Sequence, residues 1–287
     1  MASRDLITLR RLYHTGEKTH PSGLYITVVF HKEKRGAERV ARVISSMLAK
    51  WGAQYELQEF TEDGFSNPIG CDALIVLGGD GTILASIHAL EEPETPVLAI
   101  SFGRGGYLAD VGPEEAEKAV TALIEGRYYV ERLMRLQADI DGEHIGEAVN
   151  EAYISNQLVG KVVEFDLYVD NLSLQNLVAD GLILSTPLGS TGYNSSLGGP
   201  LVDEELELII ATPVAPITNL RPLIFSSLKK ITVACRRGPF SVLIDGGMRR
   251  GFKTGSVEVT KARHYTVLIR TSSTRLCERR IKKRLNL

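Results

Sequence analysis

Hydrophobic residues change their spacing once along this chain, near Gly126, and that change limits what it can fold into. Before it, apolar β-branched runs alternate with amphipathic helical stretches. Leu24–Phe30 (LYITVVF) and Ala73–Leu77 read as strands buried on both faces, with further strands near Tyr55–Phe60 and Val97–Ile100. Between them, Val40, Val43, Ile44, Met47, Leu48 and Trp51 recur at helical spacing up to Gly52, a residue suited to a helix end. A second helix is expected from about Thr82 to Leu90. A third, Pro113–Glu125, turns Ala116, Ala119, Val120, Leu123 and Ile124 to one side and stops at Gly126. Strand–helix alternation of this kind makes a parallel sheet with helices on both faces.

Past Gly126 the helical period fades into short alternating runs: Leu136–Ile140, Phe165–Val169, Leu182–Leu184, Ser241–Ile244 and Tyr265–Ile269. Asp141-Gly142 and Asp245-Gly246 are hairpin turn pairs. The expected architecture is an α/β N-terminal domain with a parallel sheet, residues 1–128, and a mostly β C-terminal domain, 129–270. A last helical stretch, 271–287, is expected to pack back on the first domain.

The chain carries 33 basic and 35 acidic residues, a net charge of −2, which disfavours a nucleic-acid or membrane-surface binder. The basic run RLCERRIKKRLNL at the C-terminus reads as the solvated face of a helix, with an RNA or anionic-lipid contact as its alternative. Three scattered cysteines, Cys71, Cys235 and Cys277, without a CxxC, argue against a disulfide framework or structural zinc, and the histidines show no ligand spacing. No apolar stretch approaches the ~18 residues of a transmembrane helix, and no targeting segment stands out. A cytoplasmic location is expected.

The sharpest chemical signal lies in DALIVLGGDGTIL, where a buried strand ends and Gly78-Gly79-Asp80-Gly81-Thr82 opens a helix. Glycines permit positive φ and let a phosphate approach the backbone without a Cβ in the way. A helix N-terminus at the carboxyl end of a parallel strand offers unpaired N–H groups to an anion. A carboxylate beside phosphates is repelled unless it holds a metal or takes a proton from an attacking hydroxyl, so Asp80 is a candidate catalytic residue; its alternative is a helix cap. There is no GxxxxGK[ST], and Gly103-Arg104-Gly105-Gly106 fails GxGxxG because Leu108 holds the third glycine position.

Two further groups stand out. Asn150-Glu151 sits within AVNEAYI and can grip a ribose diol or an adenine amine, or else lie on the outer face of an edge strand. Residues 178–200, VADGLILSTPLGSTGYNSSLGGP, gather Asp180, Ser185, Thr186, Ser190, Thr191, Tyr193, Asn194, Ser195 and Ser196 among glycines. Such a segment can wrap a polar nucleotide, with Tyr193 as an aromatic wall; a serine-rich surface loop is the alternative.

Gly-Gly-Asp-Gly-Thr, then Asn-Glu, then DGLILSTPLGSTGYNSSLGGP together resemble the NAD kinase family, with order and spacing kept from about Leu24 to Asp245. The first motif is shared with diacylglycerol and sphingosine kinases; the third is what separates them. TPVAPITNLRPL and SFGRGGYL are similar to two further family stretches. Ala179, Leu188 and Gly192 depart from the usual pattern, and the family's common His is absent near Ile217.

The resemblance implies transfer of a phosphoryl group from ATP, or polyphosphate, to the 2′-hydroxyl of the adenosine ribose of NAD. It implies Asp80 as the acid that activates that hydroxyl, and Gly78, Gly79, Gly81 and Thr82 at the phosphates. It further implies Tyr107, Asn150, Glu151, Asp180, Ser190, Thr191, Tyr193 and Asp245 at the dinucleotide, with Mg²⁺ accompanying ATP and no dedicated metal site. A homodimer or homotetramer is implied, since the residue at Asp180 often reaches a neighbouring subunit's ligand. Two other readings remain: a lipid kinase that shares only the glycine-rich scaffold, and a catalytically weak dinucleotide-binding regulator.

Overall fold

The computed structural model describes residues 23–103, 107–109, 111–158, 160–237 and 239–271. They divide into two compact units. One runs through Arg132 and takes up the chain again from Thr266; the other comprises Leu133–Tyr265. Beyond its first residue, the helix expected over 271–287, with its basic run and Cys277, lies outside the described residues.

The first unit is an open parallel sheet. Strands β1 (Tyr25–His31), β2 (Gln54–Phe60), β3 (Ala73–Gly78) and β4 (Val97–Ser101) run in the order β2-β1-β3-β4. The register pairs Val28 with Leu57 on one side and with Ile75 on the other. β3 is buried along its whole length, as a continuous apolar run requires of a central parallel strand. Helix α1 (Ala37–Trp51) turns Ala37, Ala41, Ile44 and Leu48 inward and ends at Gly52 in the left-handed region, where its N–H reaches Ala49 O. Helix α2 (Asp80–His88) begins directly after the glycine turn. The stretch from Pro113 starts as one turn of 3-10 helix, Pro113–Glu115, and becomes α3 (Ala116–Ile124). Val28, Ile75, Leu98, Ile44, Val120 and Leu123 share one core with Ile269, which arrives from the far end of the sequence.

The second unit is built of antiparallel strands. Strand β5 (Tyr129–Ile140), whose first four residues belong to the first unit, turns through Asp141-Gly142 into β6 (Glu143–Ala148). Both turn residues take positive φ, 48° and 86°, the left-handed pair that a two-residue hairpin needs. Then follow β7 (Glu151–Asn156), β8 (Val163–Val169), β9 (Leu172–Ala179), β10 (Gly181–Ser185), β11 (Leu208–Val214), β12 (Leu223–Ser226), β13 (Ile231–Arg237), β14 (Phe240–Ile244), β15 (Met248–Phe252) and β16 (Gly255–Arg270). One sheet has the order β12-β11-β10-β7-β14-β15; in the other, β16, β13, β8 and β9 lie side by side. Alternate residues, such as Ala152 and Ile154, Leu182 and Leu184, or Ile231, Val233 and Cys235, feed one core, the period of two expected of half-buried strands.

Strand β16 leaves the second unit at Tyr265 and enters the first at Thr266, where Leu268 pairs in parallel with Val97 of β4. No described helix is long and apolar enough to cross a membrane.

Candidate active site

In the first unit, the backbone turns at Gly78-Gly79 from the buried β3 into α2. The positive φ expected of these glycines is not used: Gly79 is extended, at φ −89° and ψ 178°, and neither Gly78 nor Gly81 takes positive φ. What glycine supplies here is room. Among the described residues, a Cβ at Gly79 or Gly81 would meet no atom within 4 Å, so neither position crowds the helix N-terminus, where a phosphate could sit. Gly78 differs, because a Cβ there would lie 2.6 Å from Cβ of the buried Thr82. Gly78 and Thr82 pack on each other, while no described atom crowds the Cβ positions of Gly79 and Gly81.

Asp80 is the first residue of α2, and its side chain does not cap the helix. Its two oxygens accept the backbone N–H groups of Tyr107 and Leu108, at 3.0 and 3.1 Å. Two charge-assisted bonds fix the plane of the carboxylate. They also bring Tyr107 beside Asp80 by its main chain. Arg104, Gly105 and Gly106 of the same stretch lie outside the described residues.

In the second unit, the edge-strand alternative for Asn150-Glu151 does not hold. Strand β7 lies between β10 and β14, in the interior of its sheet. The peptides leading into it are held by Asp245, which sits in the left-handed region at φ 50° in the β14–β15 turn. Its carboxylate accepts N–H from Val149, Asn150 and Glu151 at 2.7, 2.7 and 2.9 Å. Asp tolerates this conformation better than most residues, and here its side chain is used as well.

The surface-loop alternative for the hydroxyl-rich segment also fails, since Ser185, Thr186, Ser190 and Asn194 are fully buried. Most of their polar atoms serve the frame. The Ser185 hydroxyl donates to Asn150 O, the Thr186 hydroxyl donates to Val149 O, and Thr186 Oγ1 accepts from Gly189 N. Ser190 Oγ donates to Val202 O and accepts from Val202 N. The Asn194 amide donates to Ser190 O and Pro200 O and accepts from Thr212 Oγ1 at 2.6 Å. Gly189 lies so close to the Asn150 carbonyl that a Cβ would overlap it.

Against this satisfied background, one group stands unpaired. Glu151 Oε2 is buried without a hydrogen-bond partner among the described residues. Burial, and then the charge of Asp245, push the Glu151 carboxyl up to about 8. A Cβ at Gly192 would stand 3.4 Å from that oxygen, so glycine keeps the space before it clear. Close by in sequence, Thr191 donates only a long 3.5 Å bond to Leu188 O, which leaves its hydroxyl largely uncommitted. Tyr193 is exposed and packs edge-on against Tyr153, with ring centroids 5.7 Å apart. Asp180 is exposed between β9 and β10.

The structure thus gathers Asn150, Glu151, Ser190, Thr191, Tyr193 and Asp245 within the second unit. Gly78, Gly79, Asp80, Gly81, Thr82 and Tyr107 belong to the first. No group of three or more His, Cys, Asp or Glu among the described residues is placed to hold a metal.

A helix N-terminus suited to phosphate, with a carboxylate fixed beside it, is the arrangement expected of a phosphotransferase. Residues 9–128 match the model of the ATP-NAD kinase N-terminal domain, and residues 149–271 match that of the ATP-NAD kinase C-terminal domain. The chain belongs to the NAD kinase family. It is 34% identical to an NAD kinase of Methanoculleus marisnigri over 77% of this chain and 84% of that one. To an NAD kinase of Thermotoga neapolitana it is 33% identical over 85% and 91%. Among solved structures it resembles an NAD kinase from Archaeoglobus fulgidus in complex with ATP, with a TM-score of 0.76, 27% identity and coverage of 91% and 99%. The fold is also that of yeast NADH kinase complexed with NADH, with a TM-score of 0.81, 20% identity and coverage of 93% and 89%.

Proposed function

We propose that this chain transfers the terminal phosphoryl group of ATP, or of polyphosphate, to the 2′-hydroxyl of the adenosine ribose of NAD, giving NADP. The open N-terminus of α2 at Gly79 and Gly81 takes the donor's phosphates. Asp80, held flat by the N–H groups of Tyr107 and Leu108, accepts the proton of the attacking hydroxyl. The hydroxyl oxygen forms a bond to the terminal phosphorus, the bridging P–O bond breaks, and ADP or the shortened polyphosphate leaves.

The observation that carries this reading is the unpartnered buried oxygen of Glu151. As carboxylate or as neutral acid, it can bond to a polar group of a ligand, and the hydroxyls and amine of an adenosine provide one. A lipid acceptor would leave it unpaired, which tells against the lipid-kinase alternative. Asn150, Thr191 and Tyr193 complete the dinucleotide site; Ser190 and Asp245 act by fixing its frame. The exposed Asp180 fits a place at a boundary between copies in a homodimer or homotetramer.

In this reading Mg²⁺ accompanies the donor's phosphates. The Asp80 carboxylate at the glycine turn would suit an ion carried mainly by phosphate oxygens and water. When bound, the ion neutralises charge on the transferring phosphoryl group. The protein is expected to work in the cytoplasm.

The test is incubation of the purified protein with NAD, Mg²⁺ and either ATP or polyphosphate, with the product identified as the 2′-phosphate. Faster phosphorylation of diacylglycerol than of NAD would overturn the reading.

A further inference from the structure

The last described stretch of β16 reads Thr266-Val267-Leu268-Ile269-Arg270, an apolar run that ends on a charge. Arg270 is nevertheless 1% exposed, among the largest fully buried side chains of the chain. Its Nε donates to Glu131 Oε2 at 2.8 Å, and Nη2 stands 2.7 Å from the same oxygen. Its Nη1 donates to the carbonyl of Leu108 at 3.0 Å. The N–H of that same residue donates to Asp80. The main chain of Leu108 is therefore held at one end by a buried guanidinium and at the other by the carboxylate of Asp80.

A buried ion pair is a poor way to gain stability, because desolvation offsets its attraction and apolar side chains of like volume fill such space as well. What it provides is a fixed direction. The rigid fork of arginine sets the Leu108 carbonyl in place, and the Leu108 and Tyr107 amides then set the plane of Asp80.

We propose that Arg270, anchored by Glu131, is a positioning residue for Asp80, acting through the backbone of Leu108. The role of Arg270 in turnover rests on the reading of Asp80 as the proton acceptor; the pin itself does not. Loosening it lets the 107–108 segment drift, and a misplacement of about 1 Å at a reacting group costs up to roughly 100-fold in rate.

Arg270→Met, Arg270→Lys and Glu131→Gln test this in the full chain. The first readout is amide hydrogen exchange, which needs no activity. In Arg270→Met, Tyr107 and Leu108 are expected to exchange at least about tenfold faster, while Ile75 and Val76 of β3 keep their protection. Unchanged protection at Leu108 in the folded variant would overturn the proposal. Should Arg270→Met fail to fold, Glu131→Gln carries the same measurement, with the same two outcomes.

The second readout is kinetic. kcat is expected to fall roughly 10- to 100-fold, with KM for NAD and for ATP changed by less than about twofold and with partial recovery in Arg270→Lys. Combined with Asp80→Asn, Arg270→Met should cause little further loss. Fully additive losses would mean that Arg270 acts elsewhere, and the proposal would fall. If the wild-type chain does not phosphorylate NAD, the functional reading is lost, while exchange at Leu108 still decides whether Arg270 pins the loop.

Discussion

The turn at Asp80 and the frame around Glu151 solve opposite problems with the same residue types. At the first, glycine leaves room: no described atom crowds the Cβ positions of Gly79 and Gly81, and two backbone amides fix the carboxylate. At the second, glycine removes room: Gly189 is pressed on the Asn150 carbonyl, and nearly every buried hydroxyl around it is bonded within the unit. A phosphate site needs access and a positive field, whereas a site that tells one polar molecule from another needs rigid walls and few unpaired groups. The single unpaired oxygen of Glu151 is informative because its surroundings are so thoroughly satisfied.

The sharpest break between the two regions would come at Asp80. Asp80→Asn should keep the fold and the binding of both substrates while lowering kcat by roughly 10²–10⁴, read by steady-state kinetics beside thermal melting. Turnover close to wild type would assign proton transfer to another group.

Next come the glycines, where the two regions should respond in opposite ways. Gly189→Ala should destabilise by about 3 kcal/mol or more, since the Cβ meets backbone rather than a flexible side chain. Gly81→Ala should leave stability unchanged or raise it by up to about 1 kcal/mol, as alanine favours a helix, yet raise KM for ATP. Denaturant titration and donor kinetics on the pair would show it. Equal destabilisation would erase the distinction.

A third, smaller effect concerns Glu151. Its folded-state pKa lies above the ordinary carboxyl value, so between about 4.5 and about 8 the native state binds more protons than the unfolded chain. Stability contributed by this group is full below that window and is lost as pH rises through it, by at most a few kcal/mol. Glu151→Gln should remove that fall in Tm. A decline with pH as steep as in wild type would place the cause elsewhere. Smallest of all, Thr191→Val should lower kcat/KM for NAD by an amount equivalent to about 0.5–1.5 kcal/mol, without creating lipid kinase activity.

Much of this was legible in the residues, for reasons that can be named. Strand β3 announces itself as five apolar residues before the glycine turn, and Asp141-Gly142 and Asp245-Gly246 adopt the left-handed turns their chemistry favours. Helix α2 begins at Asp80 rather than near Thr82, because the first turn of a helix tolerates glycine that an interior would not. Strands β9, β12 and β15 escape a reading by periodicity, since they carry exposed residues such as Leu172, Ile224 and Met248 where alternation would place polar ones. The interior place of β7 was hidden too, because sheet order depends on partners far away in sequence. Arg270 was missed at the margin: the apolar run ends at Ile269, and only the fold shows that the next charge is buried. A charged residue closing a strand of β-branched and aliphatic residues is the one signal that pointed to it.

The path of β16 has a consequence for how the protein is made. Its residues from Thr266 onward complete the parallel sheet beside β4, yet the ribosome adds them only after the whole β-rich unit has been synthesised. Chains emerge from their N-terminus, so β4 waits with an open edge through most of translation, a state prone to pairing with the wrong strand. Ile269 and Arg270 reach their places only when that interval closes. A nascent chain halted before Thr266 should therefore be sticky and inert, even though every residue of the glycine turn has long since been translated.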